Sequence, residues 1–321
     1  MMDTLPALPL AEYSFVFEAL QDVELAAFPG GLWHSVFGRA LRDQVCVAPG
    51  LECARCMLLH HCDYSHLFGG PRPPKSEVMR KYDTIPVPVV LRYDNAVDQA
   101  IPAGSYFAVS MIIVGQANEK LPVIIHTMTA VGKAGFGKRR SKAALIEVTQ
   151  QAPSLPTLVM ARGRMNHWTP PAMPEILQLP ESLRITFMSP YKQTGKSTAS
   201  DEFDLPKFIM AVVRRISMLQ YFYTGTRLEA DFAQLKSQSQ APVNVKSALK
   251  WRPHGRYSAS HGKRVDTSGW LGSLDVEMAG AGALIPFLYL GQWLNVGKNA
   301  SMGFGRYQLT ALARLREDTG P

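Results

Sequence analysis

A short glycine-rich pattern occurs twice in this chain, at 132–140 and at 297–307, and each copy contains Gly-Phe-Gly followed by a cation. Each copy also lies directly before a predicted β-strand. The repetition predicts that one small fold occurs twice. Because glycine has no Cβ and readily adopts positive φ, main-chain N–H groups of such a loop can approach phosphate oxygens closely. The alternative is that each Gly-Phe-Gly is a tight turn with a buried Phe.

Length and charge narrow the class of protein. A chain of 321 residues is long enough for two domains. It carries 34 Lys and Arg against 26 Asp and Glu, and the excess of +8 favours a polyanionic partner, nucleic acid before an anionic membrane surface. No apolar run reaches the roughly 18 residues of a membrane span, and the first residues lack the pattern of a signal peptide. We therefore expect a cytoplasmic protein with no membrane partner.

Hydrophobic periodicity predicts the order β-α-β-β-α-β in a first domain at 1–150 and again in a second domain at 181–321. In the first domain the predicted strands cover 13–19, 87–92, 106–114 and 145–148, and the predicted helices cover 32–45 and 121–131. In the second domain the predicted strands cover 183–188, 248–257, 270–276 and 307–312, and the predicted helices cover 206–223 and 284–294. A Pro- and Met-rich stretch at 151–180 is predicted to link the two.

This order of elements is that of the ferredoxin-like unit. We therefore predict an α+β fold of two tandem ferredoxin-like (RRM-like) domains. The first carries a cysteine-rich insert at 46–75, and both carry a glycine loop between the second helix and the last strand.

The cysteines form one cluster. All four lie within seventeen residues, at Cys46, Cys53, Cys56 and Cys62. Because the cytosol disfavours disulfides, this spacing predicts ligands of one metal. Four thiolates suit a structural zinc, with an iron–sulfur cluster as the alternative, and a neighbouring histidine could replace one thiolate. No signature of a catalytic metal is present, so we expect the metal to have a structural role.

Two tracts rich in cations and free of acidic residues predict contacts with the phosphates of a nucleic acid. The tract at 133–142 supplies Lys133, Lys138, Arg139 and Arg140. The tract at 250–264 supplies Arg252, Arg256, Lys263 and Arg264. The predicted set of nucleic-acid contacts is completed by Arg42 on the first helix and by Gly297, Lys298, Gly303, Gly305 and Arg306 in the second glycine loop. The alternative for each tract is a solvated surface.

Several segments of the chain resemble a known family. They are FPGGLWHSVFGRAL at 28–41, the cysteine-bearing run that ends HCDYSHLF at 61–68, Ser-Pro at 189–190, RYS at 256–258, GWLG at 269–272 and both glycine loops. The chain thus resembles the CRISPR repeat-RNA processing endoribonucleases of the RAMP superfamily, in particular the branch with a four-cysteine insert. The resemblance implies two ferredoxin-like domains, binding of a CRISPR repeat stem-loop and metal-independent cleavage. It also implies that the mature guide RNA is retained in an effector complex with other subunits.

Metal-free RNA cleavage needs side chains that deprotonate the 2′-OH, offset the charge of the phosphorane and protonate the leaving 5′ oxygen. The products are a 2′,3′-cyclic phosphate and a 5′-OH. The resemblance implies a histidine on the first helix that faces the glycine loop of the second domain, and His34 is the candidate. Because the four-cysteine branch more often has Arg there and His or Arg at the position of Arg39, Arg39 is a second candidate. Tyr257 or His261 could reach the scissile phosphate. The alternative for His34 is a packing role at a domain edge.

Two other functions fit parts of the sequence. A catalytically inactive RNA-binding RAMP subunit of a CRISPR effector complex would have the same duplicated fold and basic loops. A zinc-bearing DNA-binding factor would account for the cysteines and the charge, but it leaves the two glycine loops unexplained.

Overall fold

Alternating burial places the first strand at the centre of a sheet. Tyr13, Phe15 and Phe17 are fully buried, and the residues between them are half-buried. The structure is a computed structural model and describes residues 5–79, 82–94, 97–152, 155–194, 202–258 and 263–312, with the backbone alone at 256–258 and 263–264.

The first domain is an antiparallel sheet covered on one face by two helices. Its elements are β1 (Leu10–Ala19), β2 (Val23–Leu25), α1 (Gly30–Val45), β3 (Val89–Arg92), β4 (Gln99–Ile101), β5 (Tyr106–Val114), α2 (Leu121–Ala134), β6 (Ala143–Gln151), β7 (Thr157–Ala161) and β8 (Arg164–Met165). The sheet order is β3-β5-β1-β6-β7-β8, and β2 pairs with β4 apart from it. The buried residues of β1, α1 and α2 form one core.

The second domain repeats this arrangement. Its elements are β9 (Ser182–Tyr191), α3 (Leu205–Thr224), α4 (Phe232–Gln238), β10 (Val243–Ser247), β11 (Lys250–Arg252), β12 (Gly255–Ser258), β13 (Lys263–Asp266), β14 (Gly269–Glu277), α5 (Ile285–Leu294) and β15 (Tyr307–Ala311). The sheet order is β10-β14-β9-β15, with β11 also paired to β14. The orders β3-β5-β1-β6 and β10-β14-β9-β15 are equivalent, so the prediction of two α+β, ferredoxin-like domains is confirmed.

Local signals in the sequence account for the helix ends. Pro122 lies in the first turn of α2, where its missing N–H has no cost, and Gly135 ends that helix with φ +77°. Asp204 caps α3 by accepting a hydrogen bond from the backbone N–H of Lys207, and Gly225 ends the helix in the left-handed region. Among the described residues, no helix combines the length and apolar character that crossing a membrane requires.

A shared apolar core fixes the two domains relative to each other. Leu10, Val90 and Ile112 lie on the face of the first sheet opposite to α1 and α2, and they belong to the same core as the buried face of α3. The Tyr223 hydroxyl at the end of α3 donates to the Pro86 carbonyl at 3.0 Å. The junction between the domains is therefore a packed interface.

Two stretches differ from their predictions. The predicted linker at 151–180 contains β7 and β8, which extend the first sheet; Val159 and Met160 are buried, but prolines on both sides obscure this short apolar run. The single strand predicted at 248–257 is wrong. Pro253, which has no N–H to donate, separates β11 from β12, and the edge of the sheet is formed earlier, by the exposed strand β10.

Candidate functional site

The second glycine loop packs against the first domain. Gly303 is buried with φ +89°, and a Cβ there would overlap the Tyr93 ring and lie 3.0 Å from the Leu91 carbonyl oxygen. A Cβ on Gly30, at the start of α1, would overlap the Met302 carbonyl oxygen. Two glycines, one on each domain, thus let the loop lie directly on α1 and β3.

The N–H groups of this loop bond to protein carbonyls. Lys298 N–H donates to the Lys192 carbonyl at 2.9 Å, and Gly305 N–H donates to the Pro190 carbonyl at 3.0 Å. Gly303 N–H donates within the loop to the carbonyl of residue 300 at 3.1 Å. These N–H groups are therefore not open to a phosphate, and the glycines serve close packing and positive φ. Gly297, with φ +88°, similarly packs against Tyr191 and the Lys192 carbonyl.

The two cations of the loop have different surroundings. Arg306 is mostly buried; its Nη1 donates to Asp94 Oδ1 at 2.6 Å and to the Tyr93 carbonyl at 3.2 Å. Arg306 therefore ties the second domain to the first. The Lys298 side chain is exposed, so it is the loop cation positioned to meet an external anion.

His34 lies on α1 one turn after Gly30, on the face that carries Gly30 against the loop. It is half-buried, and its imidazole packs against the Phe68 ring with the centroids 4.3 Å apart. Arg39 is exposed, and five residues place it roughly 140° around the helix from His34. The structure therefore does not bring His34 and Arg39 together on one face of α1.

The basic tract forms a hairpin that starts beside α1. β12 pairs with β13, and the register places Tyr257 opposite Arg264. At its base the His254 ring packs edge-on against Phe28, two residues before α1, with centroids 5.6 Å apart. The predicted RNA contacts Arg256 and Lys263 also lie on this hairpin, Arg252 is exposed at the end of β11, and His261 lies outside the described residues. Sequence reasoning missed the contact of His254 with Phe28.

An ion pair holds the far side of the hairpin base. Lys192 Nζ lies 2.6 Å from Asp266 Oδ2, and Lys192 also lies over the Trp251 ring at 5.8 Å. Lys192 above all, and then Ser268, hold the pKa of Asp266 well below its usual range. The start of α1, the second glycine loop and the base of the basic hairpin thus meet at the domain junction.

Comparisons with known proteins agree with this architecture. Residues 8–171 match the family model AF_1859_N, an N-terminal domain, and residues 185–307 match the model of the CRISPR-associated endoribonuclease Cas6. The second domain belongs to the Cas6 family. The chain is therefore a CRISPR RNA processing enzyme. No curated protein sequence matches it.

Solved structures show the same fold. A product complex of Cas6 (TTHB231) from Thermus thermophilus has 12% identity and a TM-score of 0.54, over 94% of this chain and 100% of that chain. A product complex of Cas6 (TTHA0078) has 15% identity and a TM-score of 0.51, over 95% of this chain and 100% of that chain. A partial Cas6-RT-Cas1–Cas2 complex has 12% identity and a TM-score of 0.52, over 97% of this chain and 47% of that chain.

The first glycine loop of this CRISPR RNA processing enzyme is a tight turn. Phe136 is buried, with its ring centroid 4.9 Å from that of Trp33, and a Cβ on Gly135 would overlap the Arg140 carbonyl oxygen. The predicted cations of this loop are exposed, and Arg139 pairs with Glu24 at 3.0 Å. The exposed cations are Lys133, Lys138, Arg139 and Arg140. Phe304 of the second loop is also buried, so the tight turn with a buried Phe describes both copies.

The four cysteines gather around one small cavity. Each is half-buried and free of a disulfide, and together with Arg42 and Tyr64 they line a space of about 30 Å³. Their donor chemistry fits zinc, but within the described chain no three His, Cys, Asp or Glu side chains are grouped closely enough to hold a metal ion. No histidine is among the described residues that line the cavity.

Arg42 faces this cavity. Its Nη2 donates to the Leu51 carbonyl at 3.4 Å, and the pKa of its guanidinium is raised first by Cys53 and then by a hydrogen bond to Cys46. Arg42, a predicted RNA contact, thus bonds instead to residues of the cysteine segment, 46–75.

Proposed function

We propose that this enzyme binds the stem-loop of a CRISPR repeat in precursor RNA and cuts at the 3′ side of the hairpin, without a metal ion, to release guide RNA. The products are a 2′,3′-cyclic phosphate and a 5′-OH. The observation that carries the proposal is the meeting of α1, the second glycine loop and the basic hairpin at one junction between the domains. Such a junction offers an acid–base side chain beside a surface of cations.

His34 is the proposed acid–base residue. It lies half-buried on the face of α1 that meets the second glycine loop. An RNA backbone bound along the β12–β13 hairpin would reach it there. An imidazole can take the proton of the 2′-OH and return one to the leaving 5′ oxygen near neutral pH. Tyr257 and His261 are the proposed assisting groups, which offset phosphorane charge. Arg39, on a different face of α1, is proposed as the alternative to His34 and not as its partner.

We propose that exposed cations bind the phosphates of the RNA. Lys298 on the second loop and Arg252 at the base of the hairpin are exposed, as are the cations of the first glycine loop. Arg256, Lys263 and Arg264 on the hairpin belong to the same proposal. Contacts of this kind position a stem by its phosphates and make binding depend on salt.

The cysteine segment, residues 46–75, is proposed to bind a structural zinc, with an iron–sulfur cluster as the alternative. The support is the gathering of all four thiols around one cavity. Cys46, Cys53, Cys56 and Cys62 would hold the ion. The ion would stabilise the fold of the segment, and the chemistry at the junction would proceed without it.

Cleavage of the cognate repeat RNA tests the proposal directly. Purified protein is incubated with repeat RNA with and without EDTA, and the ends of the fragments are mapped. We expect equal cutting in both samples, with cyclic phosphate on the 5′ fragment. His34→Ala should abolish cutting while keeping binding, and the exposed His126→Ala on α2 is the matched control. Cutting that needs added magnesium would overturn the mechanism.

The same experiment addresses a catalytically inactive RNA-binding subunit. The contact between His34 and Phe68 favours this second candidate, since a packed histidine need have no chemical role. That protein would bind repeat RNA and leave it intact. In either case we propose that the guide RNA is retained with other subunits of a CRISPR effector complex, in the cytoplasm where the precursor is transcribed.

A further inference from the structure

Aromatic rings connect the cysteine segment to His34. Tyr64 lines the cysteine cavity, and its ring stacks on Phe68 with the centroids 5.3 Å apart and the planes at 30°. The Phe68 ring then packs against the imidazole of His34, with the centroids 4.3 Å apart and the planes at 32°. Two successive ring contacts therefore join the cavity to the proposed acid–base residue.

Gly38 shows how closely Phe68 is seated on α1. A Cβ on Gly38 would overlap the Cζ, Cε1 and Cε2 atoms of the Phe68 ring. Gly38 lies one turn after His34 on the same face of the helix. A glycine inside a helix costs about 0.5–1 kcal/mol relative to alanine, and here its effect is to let the tip of the ring approach the helix backbone closely beside His34.

The backbone on both sides of Phe68 is anchored. Leu67 is buried in the core of the first domain, and Asp63 pairs with Lys120 at 2.9 Å. The Gly70 N–H donates to the Ser65 carbonyl at 2.8 Å, and the Gly70 carbonyl accepts from Ile85 at 2.7 Å. The ring is therefore held by its own segment and does not depend on His34 for its position.

We propose that Phe68 is a positioning residue that fixes the imidazole of His34 in the orientation from which it acts on RNA. The inference rests on the proposed catalytic role of His34. An imidazole on an exposed helix face samples several rotamers, and a ring packed on one side removes most of them. A displacement of about 1 Å in a reacting group can lower the reaction rate about a hundredfold. Loss of the contact between Phe68 and His34 should therefore slow the chemical step and leave RNA binding unchanged.

Two variants remove the contact in different ways. Phe68→Leu keeps an apolar side chain but loses the ring. Gly38→Ala favours the helix, yet its methyl group displaces the ring without altering His34 or Phe68. Phe222→Leu, which removes a half-buried ring from α3, is the matched control. For each variant we would measure the single-turnover cleavage rate at saturating protein, the Kd for a non-cleavable repeat RNA, and Tm.

We expect both Phe68→Leu and Gly38→Ala to lower the rate by roughly tenfold to a hundredfold, with Kd unchanged within about twofold. Phe222→Leu should keep the rate. If Phe68→Leu fails to fold, the result for Gly38→Ala alone tests the positioning role of Phe68.

The outcomes separate this inference from the proposed function. If His34→Ala cuts at the wild-type rate, the proposed role of His34 is wrong and the positioning role is wrong with it. If His34→Ala abolishes cutting but folded Gly38→Ala and Phe68→Leu keep the wild-type rate, only the positioning role is wrong. A rise in Kd with an unchanged rate would also overturn it.

Discussion

Replacing Gly303 with alanine tests how tightly the two domains pack at their junction. Comparison with a matched glycine distinguishes the energetic cost of disturbed packing from the cost of backbone strain. The residue has φ +89°, a region that L side chains rarely adopt, and the new methyl group would overlap the Tyr93 ring and lie 3.0 Å from the Leu91 carbonyl oxygen. Gly280 is the matched control, since it has φ +74° in the same domain but its Cβ would meet only Ala241 at 4.0 Å.

The two costs can be estimated separately. Holding a non-glycine residue in the left-handed region costs roughly 1–2 kcal/mol, and both variants bear it. Forcing a methyl group into a packed site costs typically a further 1–3 kcal/mol, and only Gly303→Ala bears that cost. We therefore expect Gly303→Ala to lose about 1–3 kcal/mol more of the free energy of unfolding than Gly280→Ala.

Urea unfolding measures the difference in the free energy of unfolding between the two variants. Single-turnover cleavage shows whether the disturbed packing also affects the catalytic site. Gly303→Ala should also slow cutting, because the displaced loop no longer lies against α1 beside His34. Tyr93→Ala removes the ring that the methyl group meets, so adding Gly303→Ala should cost less stability in a Tyr93→Ala background than in the wild-type protein. Equal losses in Gly303→Ala and Gly280→Ala would refute the reasoning.

Three further predictions concern other parts of the molecule. Lys298→Ala should weaken RNA binding and lower the slope of log Kd against log salt by about one unit, measured by filter binding. Cys53→Ser with Cys56→Ser should lower Tm and remove about one zinc per chain, or the visible absorbance of iron, by elemental analysis and spectroscopy, while the folded fraction still cuts RNA. Asp266, whose pKa is lowered chiefly by Lys192, should stabilise the hairpin fully above about pH 5, so the stability difference from Asp266→Asn in urea unfolding should begin to shrink near pH 4 and continue to shrink as the pH falls toward the depressed pKa of Asp266.

Each of these has a control or an opposing result. Arg306→Ala is the control for Lys298, since Arg306 is held by Asp94 and should alter stability more than the salt slope. Protein that is fully folded after anaerobic purification without chelator, yet holds neither metal, would contradict the cysteine prediction. A stability difference for Asp266→Asn that stays constant with pH would contradict the account of its ion pair with Lys192.

The fold could be predicted because its signals are local. The alternation of apolar and polar residues in β1 and the helix ends marked by Pro122 and Gly225 depend only on neighbouring residues. The equal order of elements in both halves predicts the duplication. The hairpin was missed because Pro253 divides a run that otherwise has strand propensity. The strand β10 was missed because all five of its residues are exposed, which leaves no periodic burial to detect.

The site could be predicted only in part. The resemblance implied His34 at the start of the first helix, and the structure places it on the face that meets the second loop. The contacts of Gly303 with Tyr93 and of Gly30 with Met302 join residues more than 200 positions apart, which no local pattern encodes. One local signal was present, because Gly38 inside a helical pattern indicates that another group approaches the backbone closely.

The most direct test of the central claim is the end chemistry of repeat RNA cut by the purified enzyme in EDTA, compared with His34→Ala. We predict a single cut at the 3′ side of the hairpin, with a 2′,3′-cyclic phosphate on the upstream fragment and a 5′-OH on the downstream fragment, and no cut by the variant. A 3′-OH with a 5′-phosphate, or no cutting until magnesium is added, would contradict the account.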